Sequence, residues 1–163
     1  MNRLLVGLAC ISAAGLWLLT GPNLRSAQQR PASSPQFLEG DAYQKARAFS
    51  PAVITRGGRI IWLAGQTATQ DLSGKSLQGD FQGQARTVFA LMDRTLKRDG
   101  ASLKNLVNMT VFINDPRSGD QLVKLRQEFF PDGKFPASTM ITVSDFAQPG
   151  MLIEIEGVAV VSE

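Results

Sequence analysis

The chain has 163 residues, 44% of them hydrophobic, which is enough for one ordinary domain with a real core. It contains no histidine, excluding a histidine general base, a Ser-His-Asp triad and histidine-based metal sites, and its single cysteine, Cys10, cannot close an internal disulfide. Arg3, Arg25 and Arg30 account for the whole net charge of +3, so the rest of the chain is balanced and offers no basic stripe for a nucleic-acid partner.

Residues 1–24 read as a leader. After Arg3, the stretch Leu4 to Thr20 (LLVGLACISAAGLWLLT) is unbroken by charge. It is short for a bilayer span and long for a signal-peptide core. Neither Gly21-Pro22 nor the Arg25-x-Ala27 stretch makes a good cleavage site, so a signal peptide and a retained N-terminal membrane anchor both stand. Either implies an exported protein, periplasmic or anchored through residues 4–20 and facing the periplasm. Lipid attachment at Cys10 is disfavoured, because Gly7 stands three places before it. Residues 25–49, rich in Gln, Ser, Pro and Ala, read as a flexible tether that need not fold, and the domain is expected over 50–163.

Ala52–Thr55 and Ile60–Ala64 read as two strands joined in a hairpin by Gly57-Gly58. Gly65-Gln66 closes the second, and Asp71–Gly79 reads as a polar loop. Phe81, Ala85, Val88, Phe89, Met92 and Leu96 recur at helical steps, predicting a helix over Asp80–Asp99 stopped by Gly100. Leu106–Ile113 alternates as a strand and ends at Asn114-Asp115-Pro116. A second helix over Gly119–Phe130 carries Leu122, Leu125, Arg126 and Phe129 on one face and stops at Pro131 and Gly133.

Two further β-type runs, Thr139–Val143 and Leu152–Val161, flank a turn at Gln148-Pro149-Gly150. The order β-β-α-β-α-β-β predicts an α+β sheet with two helices packed on one face and the other face open. In the last strand Ile153, Ile155, Ala159 and Val161 share one face, while Leu152, Glu154, Glu156, Val158 and Val160 share the other. Two carboxylates on a mostly apolar face are either a solvated or salt-bridged surface or a water-activating group in a cleft. An open face carrying Leu152, Phe112, Val158 and Val160 asks for a partner.

The phrases FPAST-x8-QPGMLIEIEGVAV, IIWLAGQ and MTVFIND, in that setting, resemble the Rid family of reactive-intermediate deaminases over residues 50–161. The resemblance implies a chorismate-mutase-like fold and a homotrimer with ligand clefts between subunits. It also implies hydrolysis of enamines and imines to a carbonyl compound and ammonia without metal or cofactor. Carried over by position, Glu154 is the catalytic acidic residue that holds the attacking water. Gly65, Ser138, Ala52 and Phe112 are the substrate-binding positions. Ser138 stands where the family's deaminases carry a carboxylate-gripping arginine, and Ala52 where they often carry a tyrosine. Val123 and Arg126 replace the asparagine and tyrosine common on the second helix. A serine cannot stand in for a guanidinium fork, so the expected preference shifts to substrates without a carboxylate beside the imine. The alternatives are a non-catalytic trimer that binds a small-molecule metabolite and a purely structural trimer. Turnover separates the first reading from these two, and ligand-induced thermal shifts separate the two from each other.

Overall fold

The computed structural model describes residues 33–162, in the order β1 (Ser33–Phe37), α1 (Ala42–Ala46), β2 (Val53–Arg56), β3 (Arg59–Gln66), α2 (Phe81–Lys97), β4 (Leu106–Ile113), α3 (Gly119–Phe129), β5 (Ala137–Thr142) and β6 (Ile153–Val161). The leader at 1–24, Cys10 within it and the first part of the tether lie outside the described residues. Among the described residues, no helix is long and apolar enough to cross a membrane.

The main sheet runs β3-β6-β4-β5, antiparallel except for the parallel β4–β5 pair. Alternation places Met109, Val111, Ile113, Ile153, Ile155 and Ala159 on one face, all at most 1% exposed. The stripe Ala85, Val88, Phe89, Met92 and Leu96 of α2 and Leu122 and Leu125 of α3 pack against that face. Asp80 starts α2 by accepting from the Gly83 amide at 2.9 Å, and Gly100, at φ +69°, follows its end. The two helices are expected from the periodicity, and they form within two residues of the expected limits.

The tether reading of residues 25–49 fails from Ser33 onward. β1 pairs antiparallel with β2, and α1 follows, fixed by a capping box in which Asp41 accepts from the Gln44 amide and the Gln44 side chain accepts from the Asp41 amide, both at 2.8 Å. The expected hairpin is corrected as well. Gly57 and Gly58 do turn the chain at positive φ, but β2 pairs with β1 in a separate two-stranded sheet, while β3 pairs with β6. The backbone of Gly58 lies against Val160 and Val161, where an added Cβ would sit 2.7 Å from the Val161 carbonyl oxygen.

The start of β6 is pinned by one buried side chain. Gln84 of α2 donates Nε2 to the carbonyls of Gly150 (2.7 Å) and Leu77 (3.1 Å), and its Oε1 accepts from the Leu152 amide at 2.9 Å. The chain's entry into the strand that carries Glu154 is thereby tied to the helix layer.

Candidate functional site

Glu154 lies on the open face of β6, opposite Phe112 of β4. Beside it, β3 bulges between Leu63 and Gln66, and the bulge brings the Gly65 backbone under the carboxylate. A Cβ built on Gly65 would overlap Glu154 Oε1 and stand 2.9 Å from its carboxyl carbon. The glycine lets the flexible end of Glu154 lie over the backbone, and a side chain there would push the carboxylate aside, so its role is a close approach rather than a turn. Gly65, Glu154 and Phe112 form one cluster on the exposed side of the sheet.

Ser138 is elsewhere. It pairs with Met109, whose side chain is on the helix-facing side, so Ser138 points through the sheet away from Glu154. Within one chain the two side chains lie on opposite faces of the sheet, so a cleft that held both would need a second copy. Ala52 is separate again: its carbonyl accepts from the Leu38 amide at 3.0 Å, beside the bridge between Ser50 and Ala137 that extends the β5 edge.

Around Ser138 the structure assembles residues that the tether reading had set aside. A cavity of about 200 Å³ is lined by Tyr43, Arg47, Phe49, Arg126, Ser138 and Met140. The Arg126 side chain reaches from α3 to donate Nη1 to Ser138 Oγ (2.9 Å) and Nη2 to the Arg47 carbonyl (3.1 Å). Arg47 pairs with Asp120 in the first turn of α3. Gly119 leaves it room, since a Cβ there would lie 3.1 Å from Met140 Cε and 3.7 Å from Arg47 Nη2. Ala48, fully buried at φ +55°, reverses the chain after Arg47 and turns toward Phe49. Arg126 is detectable in sequence as a charge within an apolar stripe. Tyr43 and Arg47 carry no such signal.

A larger cavity, about 500 Å³, opens at the start of α2 and is lined by Asp80, Asn114, Asp115 and Ser118 among others. Its acids are already engaged. Asp80 caps α2, and Asp115 accepts from the Arg117 side chain and amide, contacts that hold its carboxyl below the usual range.

The profile of the family described as Endoribonuclease L-PSP matches residues 39–161, most of the chain. A RutC family protein of Pyrococcus horikoshii is 29% identical over 104 residues, 64% of this chain and 81% of that protein. A 2-iminobutanoate/2-iminopropanoate deaminase of Dermatophagoides farinae is 23% identical over 104 residues, covering 64% and 80%. A crystal structure of a Rid-family protein of unknown function from Yersinia pestis superposes with a TM-score of 0.70 at 24% identity, covering 79% of this chain and all of that one. The fold and the motifs define an α+β protein of the Rid type. The chain belongs to the Rid/YjgF/L-PSP family.

Proposed function

We propose that the chain is a Rid-type hydrolase of imines and enamines whose site is completed between copies in a homotrimer. The observation that carries this reading is the Glu154 carboxylate held over the Gly65 backbone on an open sheet face. In that position a neighbouring copy would close the cluster into a cleft and withdraw it from bulk water. The chemistry asks little of the protein, because an imine carbon is already electrophilic. The imine enters protonated on nitrogen; Glu154 orients a water and takes one of its protons as the oxygen bonds to the iminium carbon, giving a carbinolamine. Glu154 then passes that proton to the amine nitrogen, the C–N bond breaks and ammonia leaves as the carbonyl forms, and the hydroxyl proton returns to the Glu154 carboxylate. An enamine enters the same route after protonation on carbon.

The test is ammonia release from 2-iminopropanoate generated in situ. Wild type should exceed buffer, and Glu154→Gln should fall to the buffer rate with its fold intact. A wild-type rate equal to buffer would sink the reading. The second reading, a non-catalytic metabolite-binding trimer, is favoured by Ser138 in place of the family's arginine, and it expects ligand-induced thermal stabilisation with no turnover. We also propose export through residues 4–20, which fractionation of cells expressing full-length and leaderless chains checks directly.

A further inference from the structure

Arg126 lies in the apolar stripe of α3 with Leu122, Leu125 and Phe129 and is 3% exposed. Its Nε has no hydrogen-bond partner. Among the described residues no carboxylate pairs with it, since Asp120, the acid on that side, is held by Arg47. Two guanidiniums and one carboxylate leave the cavity beside Ser138 one positive charge in excess. A buried guanidinium with donors to spare at a cavity wall has the chemistry to recognise a small anion.

We propose that this cavity is the anion-recognition half of the site, taking the carboxylate of a small 2-imino or 2-oxo acid between Arg126, Arg47 and the Ser138 hydroxyl. The guanidinium missing from position 138 is then supplied from α3. Ser138 and Arg126 are a matched pair: the serine oxygen accepts from Nη1 and keeps its own hydrogen free to donate to a ligand. An arginine at 138 would add a third cation to the same space, so the two solutions exclude each other. The excess of one charge suits a monocarboxylate better than a phosphate dianion. A cavity of about 200 Å³ whose lining includes Phe49 and Met140 suits a short alkyl chain. The expected preference for substrates without a carboxylate is thereby reversed. The inference rests on the hydrolase reading for the imino-acid identity of the ligand, whereas the anion site rests on Arg126 and Arg47 alone.

Titration calorimetry of the full-length chain with pyruvate, and with pyruvamide as its neutral isostere, tests it. Pyruvate should bind more tightly than pyruvamide by roughly tenfold or more. Arg126→Gln and, separately, the less buried Arg47→Gln should each weaken pyruvate by roughly tenfold or more and weaken pyruvamide much less, closing the gap between the two probes. Thermal melts run beside each variant, and the Arg47 variant keeps the test alive should the Arg126 variant fail to fold. No measurable pyruvate binding, equal affinity for the two probes, or pyruvate binding that survives both variants overturns the proposal. Pyruvate binding as expected without imine hydrolysis removes the hydrolase reading alone. Hydrolysis without discrimination between the probes removes the anion pocket alone.

Discussion

Burial first, and the neighbouring charge of Arg47 second, pull the Arg126 guanidinium down to about 10, so it stays protonated at neutral pH. The unfolded chain holds that proton more tightly. The charged side chain therefore weighs against folding at every pH below about 10, and the handicap fades as the pH climbs past that value. Apolar replacement should relieve it: Arg126→Met with Ser138→Ala is expected to be as stable as wild type or above it by about 1 kcal/mol, while losing pyruvate binding. A large loss in denaturant stability would make Arg126 a structural residue instead. On the other face, Gly65→Ala puts a methyl where Glu154 Oε1 lies. Turnover should drop roughly tenfold or more while stability moves by about 1 kcal/mol or less, because the glutamate's flexible end yields at an exposed site. Equal turnover in this variant would deny the glutamate its proposed position. Much of this scale is legible in sequence. Glu154 and Gly65 stand out by motif and Arg126 by its place in a helical stripe, but which face Ser138 points to depends on its pairing with Met109, and register across a parallel pair leaves no mark on composition.

At the level of elements, the helices and the long strands follow their hydrophobic periods, and the structure agrees with them closely. The N-terminal elements do not follow from such a pattern. α1 is a five-residue helix with no buried residue, and it stands on a reciprocal cap between Asp41 and Gln44 rather than on an apolar stripe. β1 pairs with β2 across the α1 connection, and this pairing takes the place that adjacency in sequence assigns to β3. Tyr43 and Arg47 inherit that invisibility. The bond network of Gln84 is the device that ties elements together. Gln84→Leu would leave the Leu152 amide and the Gly150 and Leu77 carbonyls without this partner. A loss of about 2–4 kcal/mol is expected in denaturant melts. Amide exchange should rise at the start of β6, and a variant as stable as wild type would show that water replaces the side chain.

On the scale of the whole molecule, the sheet has one face under its helices and the other uncovered. On the uncovered side Trp62 is 77% exposed, opposite Val158, with Ile60 and Ile141 also exposed. A patch of this kind in water is stabilised by association, and the proposed trimer is the arrangement that would cover it. Light scattering should give three copies for wild type, and Trp62→Glu should give a monomer that has lost imine hydrolysis with Glu154 untouched. A wild-type monomer that hydrolyses imines would remove the requirement for a second copy. The exposed indole also brings a practical benefit. The chain's other tryptophan is Trp17, so a Trp17→Phe protein carries a single tryptophan, seated on the surface that association would dry. Its emission colour, followed on dilution, would report subunit exchange directly and without a label.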